Sequence, residues 1–516
     1  LLTECQHRHL LMLLLVACSS EQKPLPPSDE QASQARVMVT GTGLFKVTPD
    51  ALASLGWDDE TPLSLTMNEE LIPYQRHESA LFFYLPEHVS ARYSNQHALW
   101  LRRDEATKEE SDEKSPDETP ITTVMAEQRL TGHDKYNSNY VGDPWFWRTL
   151  LASVNETHEV STPGRQAGPV VVTVRVAGTT KVMHQLHVAL NDQEAGTLEW
   201  SGQTRHEESF TVELPASEMI AISFEVPQGE VGIDISLLDE VIVHYPSQPL
   251  APFGVFKGMA ERSGVAQFDQ LSDDIVAWQI EPNQKLLPTG SEGVFLPAKE
   301  PVVVIERELA QPTSVEWVED TEIASEGADY VAIVVPELAD AIEPLLAFHR
   351  EQGLSTVMFS AQQVYDAYSA GTADPLAIRT LLAEAEKSWK IKPRFVLLVG
   401  DSTYDPAGYQ HDLPPAYLPS PFINTVFGGE TVSDNLIADI DEDGYPDIAL
   451  GRLPARSSEQ LETIINKIID YSQKPASGDW QERVLFTADG REELFKNTSE
   501  QLRADLADRI DTVTVY

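Results

Sequence analysis

The sequence predicts a mixed fold. An N-terminal antiparallel β-sandwich region covers residues 37–318, and an α/β domain follows over residues 325–516. Three observations carry this reading. Short runs alternate apolar and polar residues through the first region, with Gly, Pro and Asn between them. Near Asp329 the pattern changes to apolar strands separated by amphipathic helices. The chain has 516 residues, enough for about three domains at roughly 150 residues each.

Composition narrows the partners. The formal net charge is -45, from 37 Lys+Arg against 82 Asp+Glu. Such a surface repels phosphate backbones, which excludes nucleic acid as a partner. It reads as a solubility or salt adaptation, or as a surface that tolerates divalent cations. The two cysteines are Cys5 and Cys18, with none after them, so no disulfide framework holds the fold.

The elements follow in chain order. Arg8, between His7 and His9, is a weakly basic start, and residues 10–16 form an apolar stretch too short to span a membrane. Leu15-Val16-Ala17-Cys18 resembles a bacterial lipobox. Residues 1–18 then read as a lipoprotein signal peptide, with Cys18 lipidated and the membrane a partner through that anchor. A simple signal peptide with a chance cysteine is the alternative. Ser19 rather than Asp after the cysteine implies the outer membrane of a Gram-negative bacterium. The chain begins with Leu, which leaves the true N-terminus open. Residues 19–36 are rich in Ser, Glu, Gln and Pro and read as a flexible tether.

Strand patterns then recur. Val170-Val171-Val172-Thr173-Val174-Arg175-Val176, Glu208-Ser209-Phe210-Thr211-Val212 and Val241-Ile242-Val243-His244-Tyr245 are examples, arranged in one or two sandwiches. Residues 104–120 interrupt them as an acidic loop of low complexity, expected to be disordered. In the α/β domain, residues 330–335, 355–359 and 395–399 read as strands, the last a continuous apolar run fit for a sheet covered on both faces. Residues 339–350 read as a helix ending near Gly353. Asp374-Pro375 opens another, with Ile378, Leu381, Leu382, Ala385 and Trp389 on one stripe. Ser457 and Gln460 make a capping-box pattern before Leu461, Ile464, Ile465, Ile468 and Ile469. Residues 484–487 and 512–516 read as strands, with a helix over 499–508 between them. Such alternation predicts a parallel sheet with right-handed crossovers. The last strand coincides with the end of the chain, so truncation is expected.

One constellation stands out chemically. Asp439, Asp441 and Asp443 occupy positions 1, 3 and 5 of a calcium-type loop. Gly444 at position 6 permits the sharp turn, Tyr445 offers a backbone carbonyl at position 7, and Asp447 stands at position 9. Position 12 is Leu450 rather than a bidentate Glu, so the loop is not an EF-hand. Hard oxygen donors favour Ca²⁺, in a structural role. A solvated acidic turn is the alternative. Gly400-Asp401-Ser402 follows a strand, where α/β sites lie. Reading Ser402 as a lipase-type nucleophile requires a late Asp-x-x-His element that the sequence does not contain. Asp401 and Asp405 read instead as residues that order the loop. His184 and His187 sit on opposite faces of one strand, which argues against a shared metal. Asp143-Pro144-Trp145-Phe146-Trp147 reads as core packing.

Taken together, the motifs resemble the gingipain-like cysteine peptidases, peptidase family C25, a group that includes the type IX secretion sortase. The resemblance rests on the order of Asp329-Tyr330-Val331-Ala332-Ile333-Val334, Ala373-Asp374-Pro375-Leu376-Ala377-Ile378-Arg379 and Phe395-Val396-Leu397-Leu398-Val399-Gly400-Asp401. Ser433-Asp434-Asn435 with the acidic loop, then Ile448-Ala449-Leu450-Gly451-Arg452-Leu453-Pro454, complete it. It implies a caspase-like α/β fold and a surface-anchored cysteine endopeptidase acting on polypeptides. It places the catalytic Cys and His beyond residue 516 and puts an acidic helper at Asp489. Residues 496–498 hold no aspartate where some relatives carry an acidic residue for Arg preference, which puts basic-residue specificity in doubt. The alternative is a non-catalytic calcium-binding lipoprotein or a secretion and assembly module. Oligomeric state and substrate are not legible in the sequence.

Overall fold

The computed structural model describes residues 33–516 apart from residues 87–91, 104–118, 141–142, 229–232, 269–274, 282–283, 291–292, 306–308, 319–322, 324–325, 411–416, 427, 475 and 507–509. The signal peptide with Cys18, nearly all of the tether and most of the 104–120 loop lie outside the described residues. Among the described residues no helix is long and apolar enough to cross a membrane. The chain divides into two compact units, and the division does not follow the sequence order. The first takes Leu1–Ser325, Gln362–Trp389 and Ser402–Asp447; the second takes Glu326–Ala361, Lys390–Asp401 and Ile448–Tyr516.

The first unit is built mainly from antiparallel sheets. Gln34–Thr40 lies between Ser314–Trp317 and Gln96–Arg103 in a five-stranded sheet. Its core includes Val37, Leu65, Phe83, Leu99 and Leu101. Farther along the chain, Gly168–Gly178 pairs on one side with Arg205–Leu214 and on the other with Ile235–Ser247 in a nine-stranded sheet. Alternation explains the burial here. Val170, Val172, Val174 and Val176 are buried while Val171, Thr173 and Arg175 are only partly so. Those valines share one core with Leu186, Val188, Ile220, Ile222 and Phe224 of a four-stranded sheet. Each such side chain contributes roughly 1.5–3 kcal/mol of burial.

Two segments from the predicted α/β domain also belong to this unit. Leu376–Ser388 is the predicted amphipathic helix, with Ala377, Ile378, Leu381, Leu382 and Ala385 buried. The N-cap position is Pro375, one residue later than predicted, and Asp374 just ahead of it accepts from Leu376 N–H at 2.8 Å. The Ala361–Tyr368 helix, which the sequence reading lacks, is tied to the first strand by an ion pair between Asp366 and buried Arg36.

The second unit holds a parallel sheet. Its order is Thr356–Ser360, Tyr330–Val334, Phe395–Val399, Ala449–Leu453, every neighbour parallel. Residues 330–334 are all buried, as the continuous apolar run predicts. Helices Ala339–Glu351 and Ser458–Gln473 pack on each other. The first ends at Gly353, whose φ of +88 supplies the left-handed turn. The second is capped by Ser457, which accepts from Gln460 N–H at 3.3 Å. Gln460 Oε1 accepts from Arg456 N–H rather than from Ser457, so the capping box closes one residue early.

One sheet expectation differs. Arg483–Thr487 and Asp511–Val515 are parallel to each other, but they form a separate two-stranded sheet instead of extending the four-stranded one. The helix between them, Glu493–Leu506, starts six residues before the predicted 499. Periodicity reports which faces of a segment are apolar; it does not report which strand the segment pairs with.

Candidate functional site

The carboxyl edge of the parallel sheet is the first candidate. Phe395–Val399 is an inner strand, and the chain leaves it through Gly400 at φ +145. Gly400 N–H donates to Leu453 O at 3.1 Å, and Asp401 N–H to Ala455 O at 3.2 Å. Arg456 Nε donates to Asp401 Oδ2 at 2.6 Å, and Arg452 Nη1 donates to Gly400 O at 2.9 Å. The two strand ends are therefore laced together by main chain and by one charge-assisted pair. Asp489 stands two residues past the end of Arg483–Thr487, exposed, with Oδ1 accepting from Arg491 N–H at 2.8 Å. Ser402 Oγ accepts from Ser420 N–H at 3.0 Å, a loop-ordering bond.

The loop after this edge belongs to the first unit and is fixed from within. Asp405 is fully buried; its Oδ1 accepts from Tyr409 N–H at 3.0 Å and its Oδ2 from Gln410 N–H at 2.7 Å. Tyr409 stacks face-on against His133 with centroids 3.9 Å apart, and Trp145 meets it edge-on at 5.4 Å. Burial lowers the His133 pKa, against the pull of Asp143, Asp134 and Asp405. The aromatic cluster at 143–147 is packing, as read from sequence: Trp145, Phe146 and Trp147 are all buried.

The sequence reading misses a hairpin next along the chain. Phe422–Thr425 and Gly429–Val432 are antiparallel. The Phe422 ring stacks on Tyr93 at 5.6 Å, and the Arg92 guanidinium lies 4.2 Å from the same ring. Arg92 also pairs with Glu430, whose side chain is only 3% exposed. These partners are more than 300 positions apart, and no local pattern announces them.

The acidic loop is the second candidate. Its base is closed by Asp447 N–H donating to Ala438 O at 2.9 Å. Asp439 Oδ2 accepts from Gly444 N–H at 3.0 Å. Asp447 Oδ2 accepts from Ile440 and Asp441 N–H at 2.7 and 3.2 Å. Asp441 Oδ1 accepts from Asp443 N–H at 3.2 Å. Gly444 has φ +92, the left-handed turn predicted for position 6. Ligand atoms of Asp439, Asp441 and Asp447 lie within 4.8 Å of one another. Asp439 is only 6% exposed, yet its Oδ1 has no hydrogen-bond partner. A buried carboxylate oxygen without a partner beside two more carboxylates is unfavourable unless a cation joins them. The donor set therefore fits a hard divalent ion. Asp443, also predicted, stands outside this group: its Oδ1 accepts from Tyr445 N–H at 2.9 Å. His184 and His187 are apart as predicted. His184 is buried, with Nδ1 2.6 Å from Asp234 Oδ1, while His187 is exposed beside Thr197.

Comparison with known proteins agrees with this architecture. The model of peptidase family C25 matches residues 323–516. Residues 323–516 belong to peptidase family C25. Across the larger chain, the crystal structure of dimeric latent PorU from Porphyromonas gingivalis is similar in fold. The TM-score is 0.57 at 14% identity, covering 87% of this chain and 50% of that one. The Arg-specific cysteine proteinase gingipain R gives a TM-score of 0.29 at 20% identity, covering 39% of this chain and 43% of its own. An uncharacterized protein of Archaeoglobus fulgidus is 22% identical over 176 residues, which is 32% of this chain and 40% of that protein. The chain thus spans half or less of the length of each of these relatives. The C25 segment runs across both units, carrying the laced sheet edge in one and the acidic loop in the other.

Proposed function

We propose that the C25 segment is the scaffold of a cysteine endopeptidase domain of caspase-like fold, acting on polypeptides. The match of residues 323–516 to the family carries this reading. The parallel sheet supports it, since α/β folds present reacting groups at the carboxyl ends of their strands. A thiol nucleophile needs an imidazole to draw off its proton. Residues 19–516 contain no cysteine, and the family resemblance puts that thiol and its His partner beyond residue 516. Asp489 is the acidic helper, exposed just past a strand end where it can orient an imidazole. Residues 37–318 form the β-sandwich region ahead of the peptidase domain. A lipid on Cys18 holds the protein at the outer membrane, and Ca²⁺ held by Asp439, Asp441 and Asp447 stabilises the domain. In that site the ion would neutralise three carboxylates that otherwise repel one another.

Casein digestion by the complete gene product, with and without a thiol alkylator, tests the reading. Thiol-dependent cleavage is expected, with none from residues 1–516 alone. Thiol-dependent cleavage by residues 1–516 would contradict it. No cleavage by the complete product would favour a non-catalytic calcium-binding lipoprotein or secretion module. Radiolabelled palmitate incorporation that is lost in Cys18→Ala tests the anchor.

A further inference from the structure

We propose that the loop at residues 439–447 is a low-affinity calcium switch, filled in a calcium-rich extracytoplasmic medium and vacated in a calcium-poor one. This rests on the calcium reading above and adds the affinity class and what it controls. Asp439, Asp441 and Asp447 each engage one oxygen with the loop's own N–H groups. The loop backbone is thereby folded before any ion arrives. The unpartnered, buried Oδ1 of Asp439 marks where the ion is needed.

The affinity follows from ligand count and exposure. Calcium sites are tuned by the number of charged ligands and the rigidity of the loop. Three carboxylates converge here, Asp443 stands outside them, and position 12 offers Leu450 instead of a bidentate carboxylate. Asp441 and Asp447 are exposed, so water competes for their oxygens. That places the site with extracellular modules, whose Kd is about 10⁻⁴–10⁻³ M, rather than with cytosolic sensors.

The consequence is mechanical. Without the ion, three like charges within 4.8 Å repel one another and weaken the closed loop, which then opens more often. Against that repulsion stand the N–H bonds to the three aspartates, the main-chain bond at the base and the Arg379–Glu442 pair at 3.1 Å. Glu442 is exposed and sits at φ +64, a strained conformation for a residue with a side chain. With the ion bound, the loop is closed where it feeds directly into the Ala449–Leu453 strand.

Calorimetric titration of the whole chain with CaCl₂ tests this, together with cleavage at Glu442 by a Glu-specific protease. The expected Kd is about 10⁻⁴–10⁻³ M. At ten times the Kd, cleavage slows about tenfold. Asp439→Asn and Asp441→Asn, with circular dichroism unchanged, raise the Kd by about tenfold or more through the lost charge. A micromolar or tighter Kd overturns the switch and leaves the calcium reading standing. Absence of any uptake overturns both. Uptake that leaves the cleavage rate unchanged overturns the proposed control of the loop.

Discussion

Two loops of the same family segment each bury an aspartate, and they treat it differently. In the 402–410 loop, both oxygens of Asp405 take N–H groups, and the charge is fully satisfied by its own backbone. In the 439–447 loop, Asp439 has one oxygen on Gly444 N–H and the other on nothing. Burial is nearly the same, 0% against 6% exposed. A buried acid alone does not mark a site, because Asp405 is a cap; the unsatisfied oxygen beside two further carboxylates does. Glu430 makes a third case, buried but neutralised by Arg92. Among the described residues these three are the buried carboxylates, and all fall between residues 402 and 447.

This contrast can be broken by removing each partner in turn. Arg92→Ala leaves Glu430 buried and unpaired, so it has the largest expected effect, about 3–5 kcal/mol of stability by urea unfolding. A loss under ~1 kcal/mol would mean that Glu430 is solvated after all. Asp405→Ala orphans the half-buried Tyr409 and Gln410 N–H groups, at about 1–3 kcal/mol in total. Its effect is expected to be the same with and without calcium. A calcium-dependent loss there would erase the distinction between the two loops.

A smaller, pH-dependent effect is expected at Asp239. Burial pushes it up to about 6; Arg205 pulls the other way, and Asp143 and Glu240 add to the rise. Its folded value lies above the ordinary 3.8, so the folded state holds an extra proton between about pH 4 and 6. The stability it gives is full below that window and is lost as pH rises through 6, on the order of 2 kcal/mol. Asp239→Asn should flatten the stability profile across pH 4–6. An unchanged slope would show that Arg205 keeps the group ionised.

Several of these features were legible in the sequence. The Phe395–Val399 strand and the Leu376–Ser388 stripe follow from continuous and 3.6-residue apolar patterns, and both formed as read. The spacing of Asp439, Asp441 and Asp447 marked the acidic loop. Spacing could not show that Asp443 would turn to cap Tyr445, since both roles use the same residue at the same position. Arg92–Glu430 and Arg36–Asp366 were invisible because each joins residues more than 300 positions apart. The separate pairing of Arg483–Thr487 was hidden because periodicity does not specify a partner strand. The Ala361–Tyr368 helix was missed because it is short and its apolar stripe is small; only Ala361, Val364 and Tyr365 are buried apolar side chains.

The most direct test of the calcium site is thermal unfolding of the chain and of Asp439→Asn, each with chelator and with millimolar CaCl₂. Calcium is expected to raise the wild-type Tm by about 1–3 °C, and Asp439→Asn to show little calcium response at the same concentration. Without calcium the variant should be no less stable than wild type, because it removes one of three repelling charges. If the two proteins respond to calcium equally, or if neither responds, the unsatisfied carboxylate oxygen does not mark a metal site.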